Sequence, residues 1–163
     1  MATTHLGDVA VTTSGEPPAV GSKAPDFTLL GADFSEVSLT PGTRTVLNIF
    51  PSVDTGVCSA SVRKFNELVA DLDNTQVICV SADLPFALGR FCGAEGIESV
   101  VTASTLRSDF ADVYGVRMVD GKFENLLART VVVIDTDGTV LHTEMTNQVG
   151  EAVDFDAVVA ALA

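Results

Sequence analysis

The chain has 163 residues, 47% hydrophobic and 19% charged, with a mean hydropathy of +0.36, which supports one substantial core and argues against disorder. A net charge of -13 and a pI ≈ 4.2 argue against nucleic acid and against anionic membrane surfaces, both of which need a cationic face. No apolar run approaches a membrane span, and MATTHLGDVAVTTSGEPP lacks the basic start and apolar stretch of a secretory signal, so a cytoplasmic protein with reduced thiols is expected.

Taken in chain order, His5-Leu6 and Val9 to Thr12 flank Gly7-Asp8, which predicts a small hairpin in an N-terminal extension of residues 1–20. Pro17, Pro18 and Pro25 punctuate a loop before short strands at Phe27 to Leu30 and at Val37 to Leu39. Thr45 to Phe50 is a β-branched and apolar run, read as a buried strand. Val62, Phe65, Leu68, Val69 and Leu72 then recur at helical spacing with polar residues between them, and Gln76 to Ser81 is the next strand. Strand, helix, strand implies parallel pairing and a right-handed crossover.

Pro85 fits the first turn of a short helix that runs through Cys92 and ends at Gly93. A strand at Val100 to Ala103 and a helix at Ser108 to Tyr114 follow. Thr130 to Ile134 reads as a strand buried on both faces, and Asp137-Gly138 turns it into an antiparallel partner at Thr139 to Met145. Phe155, Val158, Val159 and Leu162 close the chain as an amphipathic helix. Periodicity supports an α/β sandwich. The order of elements resembles the thioredoxin fold: one domain over residues 1–163, with a central mixed sheet flanked by helices and an N-terminal β-hairpin extension.

The three cysteines, Cys58, Cys79 and Cys92, carry most of the chemistry. Cys58 lies four residues before Val62 on the apolar face, so simple burial is one reading. It also falls in the first turn after a strand-to-helix loop, where free N–H groups and the helix dipole favour a thiolate, and Thr55 supplies a hydroxyl just upstream. Other cysteine chemistries fit poorly. A dithiol reductant needs C-x-x-C, and here a threonine stands in place of the partner. A cysteine phosphatase needs five residues between cysteine and arginine, whereas four separate Cys58 from Arg63. Zinc lacks clip spacing, and the two histidines, His5 and His142, offer no base placed by the sequence. Cys79 alternates within a buried strand and reads as packing, and Phe86, Phe91 and Cys92 can form a core-facing helix face.

Pro51, Thr55 and Cys58 form P-x-x-x-T-x-x-C, which resembles the active-site motif of peroxiredoxins. The segments LNIFPSVDTGVCSASVRKFN, VSADLPFALGRFCGAEG and LLARTVVVID resemble the bacterial thiol peroxidases, atypical two-cysteine peroxiredoxins, from about Gly21 to the C-terminus. The resemblance implies a peroxidase in which Cys58 is the peroxidatic cysteine and Cys92 the resolving cysteine. Thr55 is then similar to the threonine that bonds peroxide and sulfur, and Pro51 to the proline that shields the thiolate. Arg129, which the strand pattern alone would leave as a surface ion-pair partner, matches the arginine that stabilises thiolate and departing oxygen. An intramolecular Cys58–Cys92 disulfide, thioredoxin as reductant, a homodimer, and no metal, flavin or haem are implied with these roles. A thiol-disulfide oxidoreductase and a redox-sensing domain on the same fold are the competing classes; turnover separates the second. The resemblance departs at MVDGKFEN, Met118 to Asn125, where the family carries a proline after the glycine and this chain has Lys122.

Overall fold

The computed structural model describes residues 1–163. The turn at Gly7, with a φ of 63°, lets β1 (Thr3–Leu6) fold back antiparallel onto β2 (Val9–Thr12), forming the expected hairpin as a separate two-stranded sheet. The main chain of elements continues with β3 (Leu29–Gly31), β4 (Glu36–Val37), β5 (Arg44–Ile49), α1 (Gly56–Val69), β6 (Thr75–Ser81) and α2 (Pro85–Glu95). It ends with β7 (Val101–Ser104), α3 (Phe110–Val113), β8 (Thr130–Ile134), β9 (Val140–Met145) and α4 (Phe155–Ala161). Seven strands form one mixed sheet in the order β4-β3-β7-β6-β5-β8-β9. Within it β5, β6 and β7 are parallel, and the outer pairings are antiparallel. This is the thioredoxin-like arrangement that the sequence leads one to expect.

Alternation along the central strands divides the core in two. Val46, Val77, Cys79, Val131 and Val133 face one side, with Val62 and Phe65 of α1, Leu88 and Phe91 of α2, and Val158 of α4. Leu47, Ile49, Ile78, Val80 and Val132 face the other, with Phe110 of α3 and Tyr114. The chain steps from β5 to β6 to β7 in one direction, and two crossovers of the same hand then place α1 and α2 on the same face. That common face puts Cys58 in one core cluster and Cys92 packed against it.

Helix α1 buries Cys58, Ser61, Val62, Phe65 and Val69, a single stripe at three- and four-residue spacing. Phe65 meets Phe155 of α4 at a centroid distance of 5.1 Å. Helix α2 differs from expectation twice. It passes through Gly93 to Glu95 and closes at Gly96, whose φ of 65° is the left-handed cap that glycine permits. Leu88, Phe91 and the half-buried Cys92 share its inner face, whereas Phe86 is 73% exposed. Five residues of helix rotate Phe86 by about 140° from Phe91, which removes it from that stripe. Helix α3 is confined to Phe110–Val113, shorter than the pattern suggests. No helix is long and apolar enough to cross a membrane.

Candidate active site

Strand β5 ends at Ile49, and the chain turns through Phe50 and Pro51 before α1 begins. Thr55 is the N-cap residue, with extended backbone (φ -99°, ψ 146°), and its Oγ1 accepts a long hydrogen bond of 3.4 Å from the Cys58 N–H. The same hydroxyl donates to the Ser52 carbonyl at 3.3 Å. Cys58 is therefore the third residue of the helix, in the turn whose N–H groups have no intrahelical acceptor. Its side chain is fully buried.

Arg129 reaches this sulfur from the segment entering β8. Its Nη2 donates to Cys58 Sγ at 3.0 Å, and its Nε donates to the Val149 carbonyl at 2.7 Å. The residue is only 2% exposed, so the surface role suggested by the strand pattern alone does not hold. It forms no ion pair with a carboxylate, and its Nη1 is buried without a hydrogen-bond partner. A buried guanidinium in that state is costly unless an anion or acceptor comes to it.

A pocket of about 490 Å³ lies beside Arg129, lined by Thr55, Gly56 and Val57 of the turn before Cys58 but not by Cys58 itself. Leu6, Pro51, Val57, Phe123 and Val149 give it apolar walls, and Thr55, Lys122, Arg129 and Gln148 add polar groups. Two cations and no carboxylate line it, in a chain with a net charge of -13. The hairpin supplies part of the rim: Gln148 accepts from the Gly7 N–H and donates to the Gly7 carbonyl, both at 3.0 Å. Val149 N donates to the His5 carbonyl at 3.0 Å. The N-terminal extension is thus a wall of the cavity, and the departing MVDGKFEN loop contributes Lys122 and Phe123 to the same cavity.

The structure brings Pro51, Thr55, Cys58 and Arg129 to one place. Cys92 lies elsewhere, half-buried in the third turn of α2, with Sγ 3.4 Å from Thr102 Oγ1. All three cysteines are free. Cys79 is fully buried in β6, and burial pushes its thiol up to about 12, only partly offset by the Asn48 amide that donates to it at 3.6 Å.

Sequence reasoning missed several supporting residues. Asn48 Nδ2 also donates to Ser61 Oγ at 3.2 Å, and Ser61 Oγ donates to the Cys58 carbonyl at 2.7 Å, tying α1's first turn to β5. An asparagine inside the apolar run TVLNIF was the available signal. Asp83, between β6 and α2, accepts from Ser52 Oγ (2.7 Å), from Val53 N (2.9 Å) and from Ser81 Oγ (2.6 Å).

A family model described as Redoxin matches residues 19–162, and the chain belongs to that family, in its thiol peroxidase branch. It is 49% identical to a thiol peroxidase of Corynebacterium glutamicum, over 99% of each chain. It is 50% identical, with the same coverage, to a thiol peroxidase of Mycobacterium tuberculosis. Among solved structures, a peroxiredoxin-like protein from Aquifex aeolicus superposes with a TM-score of 0.95 at 34% identity, covering 99% of this chain and 96% of that one. A thiol peroxidase from Chromobacterium violaceum reaches 0.91 at 22% identity over the same shares and shares the fold. The protein is a peroxidase enzyme.

Proposed function

We propose that the protein reduces hydrogen peroxide and organic hydroperoxides through Cys58, with Cys92 as the resolving cysteine and thioredoxin as the reductant. The observation that carries this reading is the 3.0 Å hydrogen bond from Arg129 Nη2 to Cys58 Sγ, deep in the fold and without a carboxylate to balance the guanidinium. A Cys58 thiolate balances that charge. It attacks the terminal oxygen of ROOH; the S–O bond forms as the O–O bond breaks, and the departing alkoxide takes a proton, giving ROH and the Cys58 sulfenic acid. Arg129 Nη1 is a free donor for charge developing on the peroxide oxygens, and the Thr55 hydroxyl, whose proton goes to the Ser52 carbonyl, keeps a lone pair that can accept the hydroperoxide O–H. Pro51, which has no N–H, closes one side against water.

The Cys92 thiol then condenses with the sulfenic acid, forming the disulfide and releasing water. Thioredoxin dithiol reduces that bond by exchange, becoming oxidised itself and restoring both thiols. Cys58 and Cys92 sit on different helices, so bridging requires α1's first turn and the end of α2 to unwind locally. The pocket is far larger than hydrogen peroxide and mostly apolar in its walls, which favours organic hydroperoxides. We place the protein in the cytoplasm, as one domain over residues 1–163 that pairs as a homodimer; sizing by light scattering tests the last point. Peroxide consumption driven by thioredoxin, with Cys58→Ser as control, tests the function. Consumption is expected with the wild type and absent with the variant; equal rates would contradict the assignment.

A further inference from the structure

Asp83 occupies the residue before the N-cap of α2, yet it does not cap that helix. Leu84 is the N-cap and offers no side-chain bond. The Asp83 carboxylate turns instead toward the loop that precedes Cys58 and takes the Ser52 hydroxyl and the Val53 N–H. Ser81 Oγ completes three donors around one half-buried carboxylate, and no cation pairs with it. Its backbone is fixed as well, because Ser104 Oγ donates to the Asp83 carbonyl at 2.5 Å. Bonds to an ionised acceptor are short and strong, so this is a firm anchor at the carboxyl ends of β6 and β7.

The anchored residue leads to the active site in two steps. Ser52, gripped by Asp83, presents its carbonyl to the Thr55 hydroxyl (3.3 Å) and N–H (3.2 Å). The Thr55 hydroxyl oxygen in turn faces the Cys58 N–H and lines the pocket. Ser52 Oγ also accepts from Asp54 N at 3.1 Å, so the whole turn from Ser52 to Thr55 is wound about that one side chain. The exposed Asp54–Arg90 pair, 3.2 Å, makes a second link to α2, but both partners are more than half exposed and it is weak by comparison.

We propose that Asp83 is a positioning residue for peroxide reduction, holding the Ser52–Thr55 turn so that the Thr55 hydroxyl is aimed at peroxide bound beside Cys58. This rests on the reading of Cys58 as the residue that attacks peroxide. Peroxide needs an oriented acceptor for its O–H next to the sulfur, which the Thr55 oxygen offers while its own proton is held by the Ser52 carbonyl, whereas iodoacetamide needs the thiolate alone. The two reagents therefore separate aim from general loosening of the fold.

The test measures single-turnover oxidation of Cys58 by hydrogen peroxide and its alkylation by iodoacetamide, in the same buffer, for the wild type, Asp83→Asn, Ser52→Ala and the double variant. Displacing an aligned group can cost up to about 10²-fold, and the ratio of peroxide rate to alkylation rate is expected to fall by about tenfold or more in Asp83→Asn. Ser52→Ala should lower the ratio by part of that factor, and the two losses should not multiply in the double variant, because the Ser52–Asp83 bond is lost in both single variants. An unchanged ratio in Asp83→Asn overturns the inference, as do losses that multiply in the double variant. Should Asp83→Asn not fold, an unchanged ratio in Ser52→Ala overturns it equally. A wild type whose Cys58 is not oxidised overturns the reading beneath it, a result distinct from an oxidised Cys58 with an unchanged ratio.

Discussion

Cys58 and Cys79 are equally inaccessible, each fully buried, and each packs in the same core cluster. Their surroundings are otherwise opposite. Cys79 sits mid-strand with apolar neighbours and one weak amide donor, and its thiol is pushed up to about 12. Cys58 sits in the first turn of a helix with a guanidinium donating to its sulfur and a pocket beyond that guanidinium. Burial alone makes a cysteine inert. Burial beside an uncompensated cation that itself borders a pocket makes a site.

The largest expected effect comes from exchanging the two cysteines' fates by mutation. Cys58→Ser should abolish thioredoxin-coupled peroxide consumption, and Cys79→Ser should sustain it; loss of turnover in the second variant would erase the contrast. Next is the cation. Arg129→Met should lower the second-order peroxide rate on the order of 10²-fold or more, as removal of a preorganised donor does. Stopped-flow kinetics showing the wild-type rate would make the buried guanidinium structural. Alkylation sharpens the same comparison without mutation: at neutral pH iodoacetamide should label Cys58 well before Cys79, which peptide mapping over time reads directly. Equal rates would mean that burial outweighs the cation.

The smallest effect is on stability at high pH. The Cys79 thiol rises from 9.0 to about 12 on folding, so the folded state favours the neutral form. Its contribution to stability is fully present below about pH 9 and is lost as pH rises toward about 12. In that window the slope is at most about 1.4 kcal/mol per pH unit. Denaturant midpoints of Cys79→Ser should therefore decline less steeply with pH than those of the wild type. Parallel curves would remove the physical basis for calling Cys79 inert.

The fold was legible wherever a single period ran undisturbed. β5, β6, β8 and α4 lie within a residue or two of the positions that alternation and helical spacing give, whereas α1 stops at Val69, three residues short of Leu72 in the same apolar spacing. α2 was harder to read because its apolar residues include Phe86, which faces solvent, and because glycine at 93 looks like a stop that the helix in fact passes. In the site, the motif gave Pro51, Thr55 and Cys58 as neighbours because the chain holds them within one loop and one turn. Arg129 was visible through the resemblance alone, since nothing local says that an arginine before a β-branched strand turns inward. The wall formed by Leu6 and Gly7, and the links through Asp83 and Asn48, join residues far apart in the chain. No local period reports such contacts; a polar residue stranded in an apolar run, as at Asn48, is the one trace they leave.

In the proposed reaction Cys58 is the thiol that meets peroxide and Cys92 the thiol that resolves it. The most direct measurement is peptide mapping by mass spectrometry after the reduced protein has received one equivalent of peroxide and its remaining thiols have been blocked. A Cys58–Cys92 disulfide within one chain is the predicted result, with Cys79 recovered as the blocked thiol. A Cys58–Cys79 bond, or Cys58 recovered unoxidised, would contradict it.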